Sequence, residues 1–205
     1  MVTARQASAA QRRTAIADAA IALLADEGSR RLTHRAVDQH LGIAEGSTSA
    51  YFRTRASLLA AATQRLAELD RAALQQVMGQ LVGSAERANP AQLIAAIVND
   101  WTAAAAAPRQ LARLELQLEA LRSPQLADLF AERRMVFVEL ARELVANAHT
   151  DDSGDPALLA RTLTALVDGL IFDQLLHPRT AVPPEHLPDA ITQLLTGVRN
   201  RFDRQ

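Results

Sequence analysis

The chain has 205 residues and a mass of 22.2 kDa; 49% of it is hydrophobic and 22% charged, an ordinary globular composition far from the disordered regime. All 22 basic residues are Arg and Cys is absent. That excludes a phosphate-binding loop ending in Gly-Lys, a lysine Schiff base, thiol catalysis, disulfides and thiolate metal sites. The net charge of −1 hides an asymmetry: residues 1–62 carry eight Arg against five acids, residues 63–205 fourteen against eighteen. A basic head on an acidic body directs the head toward a polyanion. The N-terminus lacks the apolar core of a signal peptide and no run is long enough for a membrane span, so a soluble cytoplasmic protein without membrane contact is expected.

Taken in chain order, the apolar period is helical throughout, and the expected fold is all-α with about nine helices. Ser8 and Gln11 have capping-box spacing, and Ile16, Ala20, Leu23 and Leu24 form a stripe up to Gly28, which ends the first helix. Thr33 caps a short second helix closed at Leu41-Gly42, and a third runs from about Glu45 to Phe52. Thr54 caps a long fourth helix from 55 to about 82, with the stripe Leu59, Ala62, Leu66, Leu69, Ala73, Val77 and Leu81. Asn89-Pro90, Ser123-Pro124 and Asp155-Pro156 each place a capping residue before Pro and open the fifth, seventh and eighth helices. Pro108 separates the fifth from the sixth, the run Ala103–Ala107 favours helix, and a last helix follows Pro183-Pro184 and ends near Arg201.

The second and third helices are joined by Leu41-Gly42-Ile43-Ala44, which has the spacing of a helix-turn-helix. Around it stand Ala25-Asp26-Glu27-Gly28, Leu32-Thr33, Ala36-Val37, Gly46-Ser47, Tyr51-Phe52, Thr54-Arg55 and Leu58-Leu59. With these residues, positions 11–63 resemble the DNA-binding domain of the tetracycline-repressor (TetR) family of transcriptional regulators. The resemblance implies a helix-turn-helix domain over 1–54 and a helical ligand-binding and dimerisation domain over 55–205. It further implies a homodimer on a palindromic double-stranded DNA operator, released by a small effector of unknown identity. The large apolar content of the chain points to an apolar or amphipathic effector. No cofactor is implied.

Residue by residue, Thr33 offers its hydroxyl to a phosphate or serves as a plain cap, and His34 and Arg35 reach the DNA or remain solvated. Gly46 permits close approach to DNA or is tolerated in a short helix. Ser47, Thr48 and Ser49 occupy the recognition helix, with Thr48 on the same side as Phe52. Tyr51 and Arg55 stand where the family contacts phosphate. Arg5, Arg12 and Arg13 form a basic N-terminal arm or surface charge. The chain departs from the family in having Ala44 where a hydroxyl often caps the third helix, a loss of about 1 kcal/mol. Glu45 is an acid close to the DNA-facing surface.

In the larger domain, Trp101, Met78, Leu114, Gln117, Phe137 and Phe172 are candidate ligand contacts, each more readily read as core. The seventh helix carries Leu126, Phe130, Phe137, Leu140 and Leu144 on one face. On the eighth, Leu159, Leu163, Leu166 and Leu170, with Ala165 and Gly169, form the expected dimer face. Ile191, Leu194, Leu195 and Val198 of the ninth complete it, or both helices bury internally. An enzyme is not expected, because no Glu-x-x-His pair, nucleophile elbow or dinucleotide loop is present, and Asp173 with His177 reads as a surface pair rather than a metal site. The other reading is a helical ligand- or protein-sensing module that no longer binds DNA, favoured by Glu45 and the hydroxyl-only recognition helix.

Overall fold

The computed structural model describes residues 4–82, 89–148 and 155–202, with side chains described for 7–79, 89–145 and 155–194. Among the described residues the fold is all-α. Its elements are α1 (Ala4–Glu27), a 3-10 turn (Ser29–Arg31), α2 (His34–Leu41), α3 (Ser47–Tyr51), α4 (Arg55–Val82), α5 (Pro90–Thr102) and α6 (Ala107–Ala120). There follow α7 (Pro124–Ala148), α8 (Pro156–Leu176), a 3-10 turn (Pro184–His186) and α9 (Leu187–Phe202). No helix among the described residues is long and apolar enough to cross a membrane.

The helix starts follow their caps with two exceptions. Asn89 forms a full capping box with Gln92, and the Asp155 carboxylate accepts the Ala157 N–H at 2.9 Å. At the head of α4, Thr54 Oγ1 accepts the Ser57 N–H at 3.0 Å while Ser57 Oγ accepts the Thr54 N–H at 3.2 Å, a reciprocal cap with Ser in place of Glu. The first exception is Ser8, which lies inside α1 instead of capping it, because the preceding Ala-Arg-Gln-Ala run extends the helix to Ala4. Arg12 and Arg13 therefore ride on a helix and do not form an arm; the Arg5 side chain lies outside the described residues. The second exception is α3, which starts at Ser47 and not at Glu45, because Gly46 sits at φ 90° as a turn residue. The Ala103–Ala106 stretch is a turn despite its composition, since Pro108 in the first turn of α6 forbids a continuous helix through it.

The chain divides into two compact units that are discontinuous in sequence: Met1–Arg71 with Ala105–Arg133, and Ala72–Ala104 with Arg134–Gln205. The division falls within α4 and within α7, so each of these helices serves two cores. In the first unit Ile16, Leu24, Leu32, Val37, Leu58, Leu66 and Leu116 are buried together, and α6 lies along α1. Full burial of each such side chain stabilises by about 1.5–3 kcal/mol. In the second unit Ile94, Val98, Trp101, Val138, Leu187 and Ile191 form the centre. The stripe on α7 is shared out accordingly: Leu126 and Phe130 join the first core, Phe137, Leu140 and Leu144 the second. Leu81 lies outside the described side chains.

Candidate functional site

The helix-turn-helix is built around one buried carboxylate. Thr33 Oγ1 accepts the Ala36 N–H at 3.1 Å and starts α2, and Gly42 at φ 63° ends it in the left-handed conformation that a Cβ disfavours. Asp38, on the inward face of α2, is 2% exposed. Its Oδ2 accepts the Gly46 N–H and its Oδ1 the Thr48 N–H, both at 2.8 Å. Asp38 thus caps α3 from a neighbouring helix, which supplies what Ala44 and Gly46 have no side chain to give. Burial works against its charge, but Thr48 and the Gly46 amide outweigh that and hold the carboxyl below its ordinary pKa. Asp38 was absent from the sequence expectations. Its signal was an acid between Val37 and Leu41 on a face that must turn inward.

At the other end of α3, His34 Nε2 donates to the Phe52 carbonyl at 2.6 Å. A carbonyl only accepts, so Nε2 carries the proton. His34 is thereby engaged in holding α2 to the end of α3. Thr48 is fully buried and presents no atom to a duplex on this face. Ser49, Gly46, Thr33 and Arg35 are exposed, and Ser47 is half-buried. Tyr51 is half-buried, and the Arg13 guanidinium lies 5.7 Å from its ring centroid and 5.4 Å from that of Phe52. Arg35 and Glu45 approach within 4.0 Å with both side chains largely in solvent, so the pair is weak. Arg53, which follows α3, is exposed and is a further cation on this segment.

Arg55 is exposed but engaged. Its Nη2 donates to the Ser29 carbonyl at 2.7 Å, and its two Nη groups reach the Glu119 carboxylate at 3.3 Å each. Ser29 completes the clamp, with its hydroxyl on Glu119 at 2.8 Å and its N–H on Glu115 at 2.9 Å. Arg55, together with Ser29, lowers the pKa of Glu119. Gly28, at φ 76°, turns the chain so that Ser29 meets both carboxylates. The last turns of α6 are therefore tied to the loop before α2 and to the first residue of α4.

In the second unit Trp101 is buried, and its ring meets Phe137 edge-on at 5.7 Å between centroids. Of the other expected ligand contacts, Leu114 and Gln117 belong to the first unit, and Met78 is exposed. Phe172 is 45% exposed on α8, in register with Leu158, Ala165, Gly169 and Leu176, which are exposed as well. Of the expected dimer face, Ala165 and Gly169 are therefore exposed. Leu163 and Ile191 are buried in their own unit, and Leu159, Leu166 and Leu170 pack partly against that core. Leu194 is 52% exposed, while the side chains of Leu195 and Val198 lie outside the described residues. His177 Nδ1 and Asp173 Oδ1 form a half-exposed surface pair at 3.0 Å.

Comparison with known proteins agrees with this architecture. Residues 85–198 match the family described as tetracyclin repressor-like, C-terminal domain. The chain belongs to the TetR family of transcriptional regulators. Among solved structures, a TetR-family transcriptional regulator from Rhodococcus sp. is 25% identical, with a TM-score of 0.69 over 89% of this chain and 97% of that one. The multidrug binding protein EbrR, complexed with ethidium, is 26% identical, with a TM-score of 0.67 over 89% and 98%. EbrR complexed with imidazole is 28% identical, with a TM-score of 0.64 over 90% and 89%. No curated protein matches the chain.

Proposed function

We propose that the chain is a ligand-responsive repressor that binds a palindromic operator as a homodimer and is released by a small effector. The DNA-binding head is residues 1–54, and the remainder binds ligand and dimerises. The observation that carries this reading is the double hydrogen bond from Asp38, which holds α3 at its N-terminus with Ser49 exposed and Ser47 half-exposed. Thr33, Arg35, Gly46 and Tyr51 approach the sugar-phosphate backbone around them, while Thr48 supports the head from within and His34 and Arg55 brace it through their hydrogen bonds. Hydroxyls pair with several bases, so sequence preference comes from Ser47 and Ser49 together with duplex shape.

The exposed α8 stripe of Leu158, Ala165, Gly169, Phe172 and Leu176, with Leu194 of α9, is the dimer surface. Two-fold pairing there presents two recognition helices to half-sites about one helical turn or more apart. EbrR, complexed with ethidium and with malachite green, supports a small-molecule effector for this chain. The reading is tested by selecting the purified protein against a randomised duplex library. A palindromic consensus supports it; enrichment of single half-sites, or none, refutes the homodimeric operator reading.

A further inference from the structure

The first unit holds a concentration of positive charge that the helix-turn-helix does not use. Asp70, on α4 and 5% exposed, accepts Arg113 Nη2 at 2.5 Å and lies 3.8 Å from Arg109 Nε. The two guanidinium side chains, on successive turns of α6, are 16% and 18% exposed. Two largely buried cations thus share the Asp70 carboxylate. Arg133 of α7, half-buried, stands in the same field: partial burial depresses its guanidinium, Asp70 and Glu68 raise it, and Arg113 and Arg71 lower it.

The unsatisfied groups here are donors. Gln110 is 1% exposed and its carbonyl accepts Arg113 Nε at 2.9 Å, which turns its NH2 the other way, buried and without a hydrogen-bond partner. Arg109 Nε is likewise buried without a hydrogen bond. No side chain caps the start of α6 and its first turn carries no acid, so the positive end of the helix dipole adds to the same field. Orphan donors beside buried cations are costly, and one acceptor-rich anion satisfies them.

We propose that Arg109, Arg113 and Arg133, with the Gln110 amide, form an oxyanion site that takes the carboxylate or phosphate group of an acidic effector. Its role as effector anchor rests on the ligand-responsive reading above, whereas anion binding itself does not. The test is thermal unfolding of the full chain titrated with benzoate, with inorganic phosphate and with tetraethylammonium chloride at matched ionic strength. One or both anions are expected to raise Tm saturably, by about 3–6 °C at roughly ten times the dissociation constant. Preference for benzoate identifies a carboxylate and preference for phosphate a phosphoryl group. Arg109→Gln is expected to weaken that binding about tenfold or more, and Arg133→Gln serves should the first variant fold poorly. No shift with either anion, an undiminished shift in a folded variant, or stabilisation by the cation alone overturns the site. Anion binding that leaves duplex affinity unchanged sustains the site and removes its effector role; duplex binding without anion binding removes the site alone.

Discussion

Asp38 and Thr48 lie ten residues apart, and the Asp38 carboxylate takes the Thr48 N–H at 2.8 Å in the interior of the head. With the Gly46 N–H on its second oxygen, this one side chain closes the turn and fixes the start of α3. Removing it strands one buried and one part-buried donor. Asp38→Ala is expected to destabilise the head by about 2–3 kcal/mol and to abolish specific duplex binding. Asp38→Asn, which keeps one acceptor and sets a donor against a donor, is also expected to lose stability. Denaturant unfolding monitored on both variants checks this; an unchanged midpoint for Asp38→Ala contradicts the cap.

The same carboxylate sets an acid limit. Asp38 and Glu119 both have folded pKa values below their ordinary ones. Their stabilisation is therefore complete above the ordinary carboxylate range and is lost as pH falls through the folded values. Stability of the first unit is expected to decline below about pH 4. Thermal unfolding across pH checks it, and Asp38→Asn is expected to flatten the decline. Stability that rises on acidification contradicts the assignment.

Arg55 is expected to act on DNA through position alone. Its bonds to Glu119 and the Ser29 carbonyl tie α4 to α6. Arg55→Ala and Glu119→Gln are each expected to cost about 0.5–1 kcal/mol of stability and to weaken duplex binding without changing its salt slope. A slope that falls by about one in Arg55→Ala alone identifies a phosphate contact instead.

The exposed stripe on α8 separates assembly from folding. Phe172→Glu is expected to weaken the dimer about thirtyfold or more while the protomer stays folded. Leu163→Ala, buried in its own unit, is expected to cost about 2–4 kcal/mol of protomer stability. Sedimentation equilibrium with parallel unfolding curves distinguishes the two. A Phe172→Glu protein that self-associates like the parent contradicts the assigned surface.

What was legible in the chain was local. Asn89-Pro90 and Asp155-Pro156 start helices because cap and Pro act on adjacent residues, and Gly42 ends α2 for the same reason. Local signals misled where two competed: Ser8 is a good cap, but the residues before it propagate helix equally well, and an Ala run yields to Pro108. Asp70 and Arg113 are 43 residues apart, so no window contains the pair. The trace left in the chain was an acid on an apolar stripe: Asp38 beside Val37 and Leu41, and Asp70 between Leu66 and Ala73. The division of the α8 leucines between core and surface has a similar cause. Leucines line more than one side of this helix, and periodicity alone does not say which side meets the protomer's own core.

The most direct measurement of the central claim is the affinity of the full chain for its selected duplex as a function of salt. A head that docks through Arg35, with Thr33 and Tyr51 as neutral partners, predicts a modest linear fall of log affinity with log salt, in proportion to the phosphates that the Arg side chains neutralise. Binding that is flat with salt, or no duplex binding at any salt, contradicts the account.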